Sequence, residues 1–273
     1  MMIALREEEV MKNRGYASTV SAAYAAFTRY FRDLFRFVWP FALVFAIGSW
    51  LTLFVFAAFW PSVVEGLTMG RWLLPFGMWL LVVGIATLSN LFLYGRTTMM
   101  FNGKSLVWNM VRLLALMLCL LPVFILSLVT MGLLWVPVAY PAYQYIVKTN
   151  ERFLSLFFKG YAIGLRHWGY LFLTQLLATL CAALVILVVS MPMIVLTMAQ
   201  RVSLVGSMEG DPAGVPSYFG LLVGGVIVAT AFVASFVIVF LMIVGYFMYG
   251  SVTTREEERN KSRYALQTDD QEA

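Results

Sequence analysis

The chain has 273 residues, 62% hydrophobic and only 12% charged, with a mean hydropathy of +0.85 and a net charge of +5. Soluble domains carry about 25% charged residues, so a soluble globular protein is excluded. The basic residues gather at the ends of apolar stretches, which excludes a nucleic-acid-binding patch and points to topological, lipid-facing charge.

Residues 1–19 are polar and read as a flexible cytoplasmic N-terminus, with Met11 as an alternative start. No cleavable signal peptide is expected, because the first apolar run begins only near Phe37. Over 20–37, Tyr24, Phe27, Phe31, Leu34 and Val38 recur at three- and four-residue spacing, while Arg29, Arg32 and Arg36 line the other side. A basic helix with an aromatic underside suits the headgroup region of an anionic leaflet. The alternative is a cytoplasmic extension of the first span, packed on neighbouring helices.

A helix rises ~1.5 Å per residue across a hydrocarbon core of ~30 Å, so each span needs ~20 apolar residues. Span one is 38–60, with Trp39 and Trp60 at its ends, where aromatic belts belong. Span two is 72–94, with Ser89 and Asn90 near its inner end. The stretch from Val107 to Val147 is too long for one crossing and divides into 107–126 and 128–147 around a turn near Ser127 to Gly132. Pro122 would kink the first of these, and Pro137 and Pro141 the second; alternatively the prolines mark the turn themselves. Arg96, Lys104 and Arg112 flank this stretch on one side, and Lys148, Arg152, Lys159 and Arg166 on the other. Basic residues concentrate on the cytoplasmic side, so both flanks should be inside, which requires a hairpin.

Residues 151–166 read as a second amphipathic helix, with Phe153, Phe157, Tyr161 and Leu165 opposing Arg152, Lys159 and Arg166. Span five follows at 168–199, a turn-rich loop at 200–217, span six at 218–249, and a charged cytoplasmic tail at 251–273. The expected fold is therefore all-α. It is a polytopic transmembrane helix bundle of about six spans with two basic amphipathic interfacial helices, forming a single membrane domain over 20–250. Every basic residue except Arg71 and Arg201 then falls on the cytoplasmic side, as expected for a multi-pass protein of the cell inner membrane with both termini cytoplasmic.

Each half places an amphipathic basic helix before a pair of long spans. The ends match too, Phe92-Leu93-Tyr94-Gly95-Arg96-Thr97-Thr98 beside Phe247-Met248-Tyr249-Gly250-Ser251-Val252-Thr253-Thr254, and Arg36-Phe37-Val38-Trp39 rhymes with Arg166-His167-Trp168. A duplication and a chance similarity in an aromatic-rich chain both remain open. If it is a duplication, both copies enter from the cytoplasm and are parallel repeats. Segments such as Ala26-Phe27-Thr28-Arg29-Tyr30-Phe31, running into aromatic-capped spans, give the region from Val20 to Gly250 a pattern that resembles a loose group of uncharacterised bacterial membrane proteins. That group includes the membrane region found beside some glycerophosphodiester phosphodiesterases. The resemblance implies no catalytic domain here and carries over no functional residue.

The inventory for chemistry is thin. All 14 acidic residues lie outside the expected spans, which argues against a proton- or sodium-coupled pump. Arg112 sits just inside span three, where its stem can snorkel to the headgroups. His167 is the only histidine and has no acid or cysteine beside it in sequence. Cys119 and Cys181 are each in the middle of a span, far from other sulfur. No catalytic motif, metal site or cofactor site is expected. Asn90, Gln144 and Gln175 are candidates for lining a cavity, although such groups more often hydrogen-bond between helices. Gly160-x-x-x-Gly164 and Gly220-x-x-x-Gly224 with Gly225 would allow close helix approach. Lipid headgroups would meet Arg29, Arg32, Arg36, Arg152, Lys159 and Arg166. Two functions fit: a non-enzymatic membrane scaffold or accessory module that contacts anionic lipid or a membrane or cytoplasmic protein partner, or a passive or partner-driven transporter of a small or amphipathic solute. A homo-oligomer through the glycine face of span six is left open.

Overall fold

The computed structural model describes residues 7–68, 73–130, 132–148, 153–208, 214 and 216–272. The described residues are helical almost throughout and contain no strand. Nine α-helices are described: α1 (Glu7–Val10), α2 (Tyr16–Arg29), α3 (Phe31–Thr68), α4 (Leu73–Asn102), α5 (Leu106–Val129), α6 (Ala139–Val147), α7 (Phe153–Arg166), α8 (Trp168–Met208) and α9 (Phe219–Glu272), with a 3-10 turn at Val136–Val138. Five stretches are long and apolar enough to cross a membrane: Phe31–Ala58, Phe76–Asn102, Leu106–Ser127, Trp168–Ser203 and Phe219–Ala265. At most 28% of the most apolar window of any of them is buried. So much apolar surface, on backbone that satisfies its own hydrogen bonds, is what lipid requires and water penalises. The chain is an integral, multi-pass membrane protein of the all-α class.

The helices divide into two compact units. Unit two comprises Val38–Tyr94 and Ala182–Ile238. Small residues set its close approaches. A Cβ on Gly48 would strike the Ser89 side chain, and one on Gly224 would lie 2.9 Å from Trp50 Nε1. Trp50 itself stacks on Phe54, with ring centroids 5.5 Å apart.

Unit one comprises Met1–Phe37, Gly95–Cys181 and Val239–Ala273, and α9 is its hub. Val239, Ile243, Phe247, Met248, Tyr249 and Val252 are all buried, so this part of α9 is covered on every face. A helix apolar all round belongs in an interior. Phe101 stacks on Tyr246 at 4.6 Å, Tyr140 packs on Tyr249 at 5.4 Å, and Tyr143 fills the space that a side chain at Gly245 would need. The expected tail at 251–273 continues as helix to Glu272, with Ser251 and Val252 buried.

Span four departs from expectation. Instead of a continuous helix over 128–147, the chain turns at Thr130 and at 132–135, makes the 3-10 turn, and then forms only the nine-residue α6. Gly132 adopts φ 80°, a left-handed conformation that costs glycine little, and Pro137 and Pro141 supply no N–H to a helical ladder. Backbone carbonyls freed by this break still need donors in an apolar setting. Side chains supply them. Trp168 Nε1 donates to Leu133 O at 3.3 Å, Tyr161 Oη to Leu134 O at 3.4 Å, and Gln175 Nε2 to Val136 O at 3.4 Å.

The far end of α6 is capped in the same way. Asn102 Nδ2 donates to Ile146 O at 3.1 Å, and Arg112 Nη2 donates to the carbonyls of Tyr145 and Lys148. The Arg112 guanidinium also lies 4.0 Å over the Tyr145 ring. At 8% exposure Arg112 does not snorkel; it places a cation at a helix C-terminus, where the dipole favours it. With Phe124 meeting Trp135 near the other end, the segment doubles back along α5, as the basic flanks required.

The two amphipathic helices are real, with altered bounds and faces. α2 ends at Arg29, Tyr30 forms a one-residue break, and residues 31–37 belong to the start of α3. Its buried face is Thr19, Val20, Ala23 and Ala26, not the aromatic stripe. α7 packs Leu156, Gly160 and Gly164 inward; a Cβ at Gly164 would collide with the Pro137 carbonyl, and one at Gly160 would lie 2.7 Å from Gln144 Oε1. Both helices have 14 residues, end in arginine, and give way through one non-helical residue to a long helix. In this register Ala23-Tyr24-Ala25 matches Gly160-Tyr161-Ala162, and Leu34-Phe35 matches Leu171-Phe172, with Leu34 and Leu171 both buried. In this register Arg29 stands where Arg166 does, at the last position of its helix.

Candidate functional site

The break at Tyr30 builds the most distinctive surface of unit one. Tyr30 N–H bonds to Ala26 O at 3.0 Å and closes α2, and α3 restarts at Phe31. Arg29 ends the first helix; Arg32 and Arg36, four apart, share a face of the second. All three are exposed. The same stretch carries exposed aromatics, Tyr24 at 61%, Phe31 at 44% and Phe35 at 40%. Their rings form a ladder, with Phe27 to Phe31 at 5.6 Å and Phe31 to Phe35 at 6.3 Å, anchored by Phe27 against Phe240 at 5.8 Å. Asp33 is the one acid within this stretch, and Glu9 reaches Arg29 at 3.3 Å. That exposed pair contributes at most about 1 kcal/mol, so it does not remove Arg29 from use. Guanidinium groups interleaved with aromatic rings suit the boundary between headgroups and acyl chains.

The equivalent junction in the second half is used differently. Arg166 Nη1 lies 2.8 Å from Glu256 Oε2, and His167 Nε2 lies 2.8 Å from Glu256 Oε1. Arg259 adds a third, longer contact at 3.9 Å. His167 thus has an acidic partner that no sequence neighbour supplied, and Arg166 is committed to an ion pair and not free for headgroups. Glu256 could have been singled out from the three consecutive glutamates, because it continues the inward stripe of Gly245, Tyr249 and Val252. Lys159 is exposed on α7, and Arg152 lies outside the described residues. Of the five expected headgroup residues that are described, Arg29, Arg32 and Arg36 lie together on one exposed stretch.

The candidate cavity residues are engaged within their own units. Asn90, in unit two, donates to Ala86 O of its own helix at 2.8 Å. In unit one Gln175 is bonded to Val136 O, and buried Gln144 packs its Oε1 against Gly160. In the glycine motif of α9, Gly224 meets Trp50, but Gly220 and Gly225 face open space.

Sequence reasoning missed the N-terminal strap. Residues 7–15, expected to be a flexible terminus, lie along α9. Val10 is fully buried where a Cβ on Gly250 would sit, and Ser251 Oγ donates to Lys12 O at 2.9 Å. Asn13 accepts from Arg255 Nε at 2.8 Å and donates to Glu258 at 3.0 Å. The Arg14 guanidinium sits 5.3 Å over the Phe247 ring and donates to Val10 O. Burial lowers its pKa, opposed by the charges of Tyr170 and Glu9. The only sequence trace of this strap is Val10 itself, an apolar residue closing an acidic run. Comparisons with family models, with curated proteins and with solved structures find no match to this chain.

Proposed function

We propose that this protein is a non-enzymatic scaffold or accessory module of the cell inner membrane, which grips anionic lipid through Arg29, Arg32 and Arg36 and presents its cytoplasmic side to a partner. The observation that carries this reading is the exposed collar of three arginines and three aromatics at the α2–α3 junction. Contact of Asn13 with Arg255 and Glu258 supports placing both termini on one side, and the density of basic residues there supports the cytoplasm. The transporter reading has less behind it, since Gln175 is bonded to the Val136 carbonyl.

A cation near an anionic surface contributes about 1 kcal/mol, so replacing Arg29, Arg32 and Arg36 together with glutamine should weaken preference for anionic lipid by about 3 kcal/mol, or roughly a hundredfold. The measurement is the retention of phosphatidylglycerol over phosphatidylcholine by native mass spectrometry of protein released from mixed nanodiscs. Unchanged retention in the triple variant would sink the proposal.

A further inference from the structure

A cavity of about 220 Å³ lies between the strap and α2, lined by Glu9, Lys12, Arg14, Arg29, the wall Ala22, Ala25 and Ala26, and the Phe247 ring. A water molecule takes up about 30 Å³ of liquid, so there is room for roughly seven waters. That is small for a drug-sized ligand and ample for one tetrahedral anion with its ester oxygen. Three cations and one carboxylate leave the lining with a surplus of two positive charges. Two of those cations are guanidinium forks, whose planar donors match phosphate oxygens better than an ammonium does. Alanines on the helix wall keep the space open, where longer side chains would fill it.

The carboxylate is the telling part. Glu9 reaches Arg29 at 3.3 Å, with the Glu9 side chain at 32% exposure and Arg29 at 62%, so the pair is solvated and readily exchanged. Arg14 is held by backbone carbonyls and by Phe247, which fixes its position; the Lys12 side chain is exposed and makes no hydrogen bond or ion pair among the described residues. The geometry points to a phosphate-binding pocket in which a phosphomonoester dianion displaces Glu9 from Arg29 and is clamped by Lys12, Arg14 and Arg29. Glu9 is the internal competitor that occupies the site when the ligand is absent. The ligand is either the headgroup of a phosphatidate-type lipid or a soluble phosphate. The inference shares Arg29 with the collar but needs neither Arg32 nor Arg36.

The opposed effects of two neutral substitutions test it. Lys12→Gln removes a clamping charge and should weaken binding about tenfold, the effect of losing one charged hydrogen bond. Glu9→Gln removes the competitor and should tighten binding about threefold, the weight of one exposed ion pair. Inorganic phosphate is titrated into the full chain in detergent by calorimetry, against chloride at matched ionic strength. In parallel, thermal stabilisation is read in phosphatidylcholine nanodiscs with and without phosphatidate. A phosphate response with both shifts establishes a soluble ligand; a response confined to phosphatidate nanodiscs, with both shifts, establishes the headgroup. No response in either arm, or equal binding by wild type, Lys12→Gln and Glu9→Gln, overturns the pocket. The double variant Arg32→Gln/Arg36→Gln separates the two ideas. It should weaken lipid retention and leave phosphate binding unchanged; loss of phosphate binding in this variant would overturn the pocket.

Discussion

The close fit of α7 on the interrupted segment can be tested by adding one methyl group. In Gly164→Ala the new Cβ would lie 3.1 Å from both the C and Cα atoms of Pro137 and closer still to the carbonyl oxygen. All three are backbone atoms, fixed by proline, so they cannot swing away as a flexible side chain would. Overpacking of this kind costs about 1–3 kcal/mol. Alanine regains up to about 1 kcal/mol of helix propensity over glycine. Because the obstacle is backbone, the upper part of the range applies, and the net loss should be about 1–2 kcal/mol. Gly169→Ala is the control: it lies in the same unit, on the first turn of α8, with nothing within 4 Å of the added atom. It should stay within about 0.5 kcal/mol of wild type. Unfolding in mixed micelles, followed by circular dichroism as the denaturing detergent fraction rises, reads both. If Gly164→Ala is as stable as Gly169→Ala, then α7 is not seated on Pro137, and the account of how the broken segment is held is wrong.

Glu256, 9% exposed between Arg166 and His167, should tolerate neutralisation poorly: Glu256→Gln should cost about 1–3 kcal/mol in the same assay, discounted for the half-exposed arginine, while exposed Glu257→Gln should cost less than about 0.5. Equal stability of the two variants would remove the cluster as a structural lock. Cys119 and Cys181 are free and exposed, yet lie in apolar stretches of α5 and α8. In native membranes both should react with an apolar maleimide and resist a charged one until detergent is added. Ready labelling by the charged reagent would place that helix outside the lipid.

The long helices were legible because their signal is local: twenty apolar residues need no partner to be recognised. The break over 130–138 was legible only in outline. Pro137, Pro141 and Gly132 announced a disruption, but whether a proline kinks or ends a helix depends on who satisfies the freed carbonyls. Here the donors are Tyr161, Trp168 and Gln175, which come later in the chain. Arg112 misled for the same reason. One cation near a span end looks like a snorkelling side chain until the carbonyls of Tyr145 and Lys148 are brought to it. The shared face of Arg32 and Arg36 was legible, since four-residue spacing alone determines it. The face of α2 that packs on protein was not legible: Val20, Ala23 and Ala26 are small enough to pack closely, which leaves the aromatic stripe exposed.

The strap also sets an order of events. Lys12 and Ser251, which it joins, are 239 positions apart in the chain. At a synthesis rate of about 5–20 residues per second, roughly 10–50 s pass between the two emerging from the ribosome. Throughout that interval Val10 and the inner face of α2 have no α9 to cover them. A nascent amphipathic helix that ends in Arg29, with Arg32 and Arg36 just beyond it, can wait on the membrane surface. Unit one is then completed last, when the strap at its N-terminal side finally meets α9.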